Sequence, residues 1–187
     1  MKSLNALFII LIITTLSGCL SSSLGKKVNE PFQGDAYESN NRFFRSTGKG
    51  VSTKENIARG KADIEAKAQL AGQVNTTVKA VTDQYLNQRE KEQGNADVSD
   101  KFESLVREVM NTSMADLRKI GEKKFLNDKT GEYSVFIAYE IKKNAMFRYL
   151  KKQAKTDQKI DERQRKVIED IVDEEIKKAD EADAEGN

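Results

Sequence analysis

The sequence contains no histidine, and this absence removes more chemistry than any other feature of its composition. Without an imidazole the chain cannot build a Ser-His-Asp triad, a Cys-His nucleophile or a histidine-based zinc site. A single cysteine cannot form an internal disulfide, so no such cross-link contributes to the fold. The formal net charge of +2 excludes both the strong basic field typical of nucleic-acid binding and the acidic field that attracts a cationic substrate.

A hydrophobic run long enough to cross a bilayer is also lacking. The apolar stretch 4–16 holds about 13 residues, whereas a membrane-spanning helix needs roughly 20. Lys2 precedes this stretch, and its end matches the lipobox of bacterial lipoprotein signal peptides at Leu16, Ser17, Gly18 and Cys19. We therefore predict that residues 1–18 are a signal peptide and that Cys19 is lipidated. The alternative is an ordinary secretory signal with a cysteine at that position by chance.

Lipidation of Cys19 would fix a location and exclude further chemistry. Each buried methylene of an acyl chain contributes ~0.8 kcal/mol, so two or three chains hold a protein firmly on a membrane. An acylated cysteine leaves no thiolate for catalysis or for an iron–sulfur cluster. Leu20 stands where many lipoproteins retained at the inner membrane have aspartate, which favours the outer membrane if the source has two. Residues 19–41, with serines, asparagines and the chain's single proline, Pro31, are predicted to be a flexible tether.

Residues 42–142 predict one α+β domain. Residues 42–51 indicate a strand that ends in glycines, and Ser52 to Glu55 have the form of a helix capping box. A long helix is predicted to Gln88, with alanines that permit close packing on a sheet. Its core face is predicted from apolar spacing to contain Ile57, Ile64, Ala71, Val74, Val78, Val81 and Tyr85.

The remainder of this domain predicts a second helix and a hairpin. A polar loop over 89–97 leads to a helix over 99–112 with one apolar face. After a turn at 127–131, residues 133–141 alternate apolar and polar, which indicates a strand with its partner at 117–126. Residues 115–120 could instead extend the helix, although Gly121 opposes this. The expected fold is a short, mainly antiparallel sheet packed by one long and one shorter helix, with a charged C-terminal helical extension.

Residues 143–187 are predicted to form that extension. Ten basic and three acidic residues lie in 142–166, whereas nine acidic and two basic residues lie in 169–187. The apolar positions are too few for a coiled coil. The pattern favours a solvated helix with a frayed acidic end.

Two short motifs suggest ligand chemistry, and the spacing argues against both. A phosphate-binding Walker loop needs a glycine where Phe43 stands and a serine or threonine after Lys49, where Gly50 stands. Gly48 and Gly50 instead indicate a positive φ or a close backbone approach. Alternating basic and aromatic residues can stack on bases, but the run at 42–45 is short and better explained as an amphipathic strand: Arg42, Phe43, Phe44 and Arg45.

A wider pattern resembles a known family. The runs 45–53, 58–62 and 66–71, a strand with a Gly-x-Gly end followed by an alanine-dense helix, resemble the Lpp-twenty-type bacterial lipoprotein family. That family includes a Helicobacter surface antigen and outer-membrane relatives, some associated with flagellar assembly. The resemblance covers 42–142 and implies a small α+β domain with an envelope role through protein–protein contact. It supplies no catalytic residues, and it does not cover the tail after Lys143.

Three functions are consistent with these patterns. The first is a non-enzymatic, membrane-anchored envelope lipoprotein that acts as a structural, assembly or protein-interaction module, with envelope proteins or itself as partner. The second is a membrane-surface binder in which the basic stretch 142–166 lies on anionic headgroups. The third is a hydrolase of cell-wall polymer that uses paired carboxylates, although nearly all acids lie among lysines on predicted helices. No metal, cofactor, nucleic acid or small-molecule substrate is predicted.

Overall fold

The computed structural model describes residues 28–88, 95–112, 114 and 116–186. Three strands form one antiparallel sheet: β1 (Phe43–Ser52), β2 (Arg118–Asn127) and β3 (Glu132–Lys142). The order across the sheet is β1-β3-β2, so β3 is the central strand. The predicted hairpin is confirmed, and its turn contains Gly131 at φ 67°, a conformation that favours glycine. With four helices packed on this sheet and on each other, the predicted α+β class is confirmed.

Helix α1 (Glu55–Gln88) covers one face of the sheet, and its backbone lies very close to that of β1. Its buried residues repeat at intervals of three or four: Ala58, Ala62, Ala66, Leu70, Val74, Val78, Thr82 and Tyr85. Gly48 and Gly50 of β1 face this helix, and a Cβ at either position would overlap its backbone. Neither glycine has a positive φ. Close backbone approach is therefore the reason for glycine at both positions.

The core face predicted for the first half of α1 is wrong. Ile57 and Ile64 are 45% and 70% exposed. The residues that face the sheet there are alanines, because two glycine positions on β1 leave no room for larger side chains between the backbones. The second half agrees better with the prediction, since Val74, Val78 and Tyr85 are buried.

The predicted capping box at the start of α1 is also wrong. The first helical hydrogen bond runs from the Ala58 amide to the Lys54 carbonyl, so the helix begins later than the motif requires. The Ser52 hydroxyl accepts a hydrogen bond from the Lys54 amide at 3.3 Å. Glu55 pairs with Lys124 of β2 at 2.9 Å instead of closing the helix end.

Helix α2 (Asn95–Thr112) begins earlier than the predicted 99, at the end of the segment predicted to be a loop. Residues 89–94 lie outside the described residues. The apolar face predicted for this helix is confirmed. It contributes these buried side chains to the core: Val98, Phe102, Leu105, Val106, Val109 and Met110.

The C-terminal region is a helical hairpin that belongs to the same core. Helices α3 (Lys143–Thr156) and α4 (Glu162–Glu185) pack against each other. Asp161 and Gln164 form a reciprocal capping box that starts α4. The predicted solvated helix with a frayed acidic end is therefore wrong. Its apolar residues were too few for a coiled coil but sufficient to pack on the domain: Met146, Phe147, Leu150, Ile168, Ile171 and Val172 are all buried.

The segment 31–41 packs on the domain: Phe32 lies on the sheet face opposite α1, and Ser39 contacts Gln73 of α1. The Thr47 hydroxyl donates to the Phe32 carbonyl at 3.2 Å, and the Phe32 and Tyr37 rings lie 5.1 Å apart. The structure thus differs from the predicted tether over 31–41, which belongs to the compact unit Pro31–Asn187. Residues 19–27 of that tether lie outside the described residues.

Candidate functional site

The predicted lipidation site lies outside the described residues. This applies to the cysteine and to the three lipobox residues before it: Leu16, Ser17, Gly18 and Cys19. Within the described part of the chain, no helix is both long enough and apolar enough to span a bilayer. The membrane anchor remains a prediction from the sequence.

The sheet face opposite α1, the outer face, is organised by strand register. Side chains alternate along each strand, so each row across this face takes one residue from β2, one from β3 and one from β1. The four rows are Arg118–Glu140–Arg45, Gly121–Ala138–Thr47, Lys123–Phe136–Lys49 and Phe125–Ser134–Val51.

An ion-paired carboxylate occupies the first row. Glu140 is 8% exposed and accepts Arg45 Nε at 3.0 Å and Arg118 Nη2 at 2.9 Å. The two guanidinium groups also approach the Phe43 ring, at 4.6 and 5.9 Å from its centroid. Phe44 lies on the other face, against the Phe147 ring in the core. The run at 42–45 is thus an amphipathic strand whose groups are already engaged, which does not favour stacking on bases.

The second row is covered by the chain itself. The Phe32 ring lies directly over Gly121, where a Cβ would overlap it. Lys123 in the neighbouring row places its ammonium 5.8 Å from the same ring. The Phe32 ring therefore covers the outer face of the sheet at Gly121.

The third and fourth rows carry the exposed apolar groups of this face, and we name five of their six residues the outer-sheet patch: Lys49, Val51, Lys123, Phe125 and Phe136. Phe125 is 50% exposed and Val51 36% exposed, on either side of the small Ser134. The Phe125 ring meets the Phe136 ring edge-on at 5.9 Å, and the Lys49 ammonium lies 5.3 Å from the Phe136 centroid. The exposed apolar groups of the patch are thus Phe125 and Val51, whereas the Phe136 ring is buried.

The opposite face has a charged boundary between α1 and β2. The Tyr139 hydroxyl donates to Asp63 at 2.5 Å, and Lys67 pairs with the same carboxylate at 2.8 Å. Burial and the hydrogen bond to Asp63 raise the pKa of Tyr139 to about 12. Burial alone would raise the pKa of Asp63, but the hydrogen bonds from Lys67 and Tyr139 outweigh it and hold that pKa below its usual value. This carboxylate is therefore a structural anion.

Paired carboxylates in a cleft were the requirement of the hydrolase hypothesis. Glu108 and Asp157 line one cavity of about 400 Å³ between α2 and the end of α3. The Glu108 carboxylate lies 3.7 Å from the Lys159 ammonium, and Asp157 accepts the Lys159 backbone amide at 2.8 Å. Both acids are engaged by the same turn, which disfavours a role as a free acid and base.

The basic stretch 142–166 faces the acidic helix α4. Arg148 pairs with Asp180 and Lys151 with Asp173, both at 2.7 Å. Asn144, on the same side of α3, donates to Asp180 at 2.9 Å. Two of the basic residues that the membrane-surface hypothesis assigned to headgroups are therefore paired with carboxylates of the same hairpin.

A cleft of about 500 Å³ lies between α1, the segment 31–41 and the start of α3. Its lining is Ser39, Phe44, Gln69, Gly72, Gln73, Thr76, Thr77 and Lys143. Lys143 also lines a second cavity of about 300 Å³ on its other side. Its ammonium lies 4.9 Å from the Phe44 ring centroid. We name this feature the α1–α3 cleft.

Neither the patch nor the cleft was predicted from the sequence. For the patch, a partial signal existed: Phe136 and Ala138 on the second face of β3 indicate that this face is partly covered, and both residues are buried. For the cleft, residues distant in sequence had to be brought together by the packing of α3. The sequence alone shows only one wall of the cleft, in the helical spacing of Gln69, Gln73, Thr76 and Thr77.

Comparisons with known proteins supply no further assignment. Within the described residues, no group of three or more histidine, cysteine, aspartate and glutamate side chains could hold a metal ion. Searches of the chain against protein-family models, curated proteins and solved structures found no match. The resemblance to the Lpp-twenty-type family remains a prediction.

Proposed function

We propose that the chain is a lipid-anchored lipoprotein of the bacterial envelope whose folded domain binds another envelope protein and catalyses no reaction. The outer-sheet patch is the observation that carries this proposal. A half-exposed Phe125 and an exposed Val51 in one row form an apolar surface on a sheet face that is otherwise covered or ion-paired. Apolar patches with polar edges are typical of interaction sites.

The chemistry of the patch specifies its partner. A partner needs an apolar side chain for the row Phe125–Ser134–Val51 and a carboxylate that reaches Lys123. Phe32 shows the mode of contact, because its ring already closes the adjacent row at Gly121. The expected partner segment is therefore acidic and carries an aromatic or large aliphatic residue.

The other two functions receive less support. In the membrane-surface hypothesis, Arg148 and Lys151 would have to leave Asp180 and Asp173 before they could reach headgroups. In the hydrolase hypothesis, Glu108 and Asp157 would have to leave Lys159. Phe125 and Val51 of the outer-sheet patch are exposed and need no such rearrangement.

The anchor is supported by the sequence at 1–19 and has its own test. Cells that express the chain are labelled with a palmitate analogue, and Cys19→Ser is the matched variant. The expected result is that Cys19→Ser abolishes the label and moves the protein into a soluble fraction. An unmodified thiol or an intact leader on the isolated protein would refute the anchor without affecting the patch.

The interaction is tested by photo-crosslinking in intact cells. A photo-reactive amino acid replaces Phe125 in one strain and Lys177 in another, since the Lys177 side chain on α4 is 78% exposed and distant in sequence from the patch. We expect a discrete protein adduct from position 125 that is absent from position 177. Adding Lys123→Glu should lower its yield at least about fivefold, because a like charge then faces the acidic partner. Equal adducts at both positions, or lipid adducts alone, would contradict the proposal.

A further inference from the structure

Lys143 differs from the other lysines of the hairpin. It is partly buried at the first turn of α3, and its ammonium lies 4.9 Å from the centre of the Phe44 ring. It forms no ion pair within the described part of the chain. Burial lowers the pKa of Lys143, an effect that the charge of Glu175 only partly opposes. The Glu175 carboxylate is itself paired with Lys178 at 2.6 Å.

The wall of the α1–α3 cleft opposite Lys143 is polar and uncharged. Along α1 it consists of amides and hydroxyls at helical spacing: Gln69, Gln73, Thr76 and Thr77. Gln73 is held in place by its hydrogen bond to the Arg45 carbonyl at 2.9 Å. Thr76 donates to the Gly72 carbonyl at 2.9 Å, which leaves its oxygen free to accept.

Space is available between these groups. Gly72 is exposed, and a Cβ built on it would meet no heavy atom within 4 Å. The cleft volume of about 500 Å³ falls within the range of roughly 300–1,000 Å³ of small-molecule sites. The site therefore combines one ammonium that has no direct ion pair among the described residues, several neutral hydrogen-bonding groups and the buried Phe44 ring.

The geometry points to the α1–α3 cleft as a binding site for an acidic saccharide, with its carboxylate on Lys143 and its hydroxyls on the amide and hydroxyl side chains of α1. A neutral sugar would leave the ammonium without a counter-ion in a partly desolvated position. A phosphate dianion is a poorer match, because the lining offers one point charge and no arginine fork. This inference is independent of the lipid anchor and of the outer-sheet patch.

The test uses the mature chain from residue 19 onward, carrying Cys19→Ser, in solution NMR. Glucuronate is the probe; glucose removes the carboxylate, acetate removes the hydroxyls, and inorganic phosphate tests the other anion. We expect glucuronate to shift the backbone amides of 72–77 and of Lys143, with a Kd at least about tenfold below that of each control probe, which corresponds to about 1.4 kcal/mol. Equal affinity for glucose, acetate or phosphate would overturn the inference, and so would the absence of shifts in the cleft at tens of millimolar glucuronate.

Two variants separate binding from folding. Lys143→Gln keeps a hydrogen-bonding side chain and should raise the glucuronate Kd about tenfold, whereas the matched exposed change Lys177→Gln should leave it unchanged. Thr77→Val keeps the shape of the wall and should weaken glucuronate while Lys143 stays intact. Unaltered affinity in both Lys143→Gln and Thr77→Val, with native spectra, would refute the site.

Discussion

Replacing Gly48 with alanine tests the contact on which the fold depends most directly. A Cβ at Gly48 would overlap the carbonyl oxygen of Ala62 and lie 3.0 Å from Cα of Ala66, whereas carbon atoms in contact are normally about 3.5–4.0 Å apart. The neighbour is helix backbone, so no side-chain rotation can relieve the overlap and α1 must move away from β1. If α1 moves about 0.5–1 Å away from β1, the van der Waals contacts between the helix and the sheet lose a quarter to a half of their energy.

The expected cost of Gly48→Ala is about 3 kcal/mol in the free energy of unfolding, at the upper end of overpacking changes. For a domain of this size that lowers Tm by roughly 6–12 °C. The measurement is urea unfolding together with a thermal melt of the Cys19→Ser chain. Gly60→Ala is the matched control, because Gly60 lies on the exposed side of α1 with nothing within 4 Å of a Cβ. It should stabilise the protein by up to about 1 kcal/mol through helix propensity.

The double change Gly48→Ala with Ala62→Gly distinguishes backbone from side-chain crowding. Because the overlap is with main-chain atoms, removal of the Ala62 methyl group should not restore stability. Wild-type stability of Gly48→Ala, or rescue by Ala62→Gly, would refute the reasoning that glycine is required here by the helix backbone.

Three further changes test the polar contacts. Tyr139 has a folded pKa of about 12, above its ordinary value of 10.0, so its contribution to the free energy of unfolding is complete below pH 10 and is lost as pH rises towards 12. Urea unfolding from pH 9 to 12 measures this dependence, and Tyr139→Phe should flatten it. An unchanged profile would contradict this. Glu140→Gln should cost about 2–3 kcal/mol, because two guanidinium groups lose their buried carboxylate; a stable Glu140→Gln protein in the same assay would show that the pairs are dispensable. Asp180→Asn should cost at most about 1 kcal/mol, since its ion pair with α3 is exposed, and a larger loss that persists in high salt would show that the contact is not mainly electrostatic.

Local patterns predicted the elements that depend on local physics. The turn at 127–131 and the alternation at 133–141 were sufficient to predict β2 and β3, because a tight turn and a period of two residues determine a hairpin without reference to the rest of the chain. The apolar face of α2 was predicted for the same reason. The glycines at 48 and 50 predicted a positive φ or a close backbone approach, and the structure shows the second, with the backbone of α1 as the neighbour.

The features that the sequence did not predict depend on which surfaces of the elements pack together. Ile57 and Ile64 satisfied a helical period, but their side chains are too large for the gap that the β1 glycines impose, so the alanine side of α1 faces the sheet. Segment 31–41 has no periodic pattern, so the sequence does not predict that Phe32 packs on the sheet at Gly121. The α1–α3 cleft exists because α3 brings Lys143 to α1, and no spacing within either helix contains that information.

The charge distribution of the tail shows how one sequence feature can support opposite conclusions. Ten basic residues in 142–166 predict attraction to an anionic surface if the segment is considered alone, and nine acids in 169–187 predict a repelled, frayed end. Folded back on each other, the two segments neutralise part of each other's charge, as Arg148–Asp180 and Lys151–Asp173 show. Exposed pairs of this kind contribute little each, so the burial of apolar residues such as Ile168 and Ile171 must supply most of the stability of the hairpin. The charges instead favour one antiparallel arrangement over others, and in that arrangement Arg148 and Lys151 are paired with acids of α4. The attraction of the isolated basic segment to headgroups is reduced to that extent, which is why the proposed function assigns membrane attachment to a lipid on Cys19 and partner binding to the outer-sheet patch.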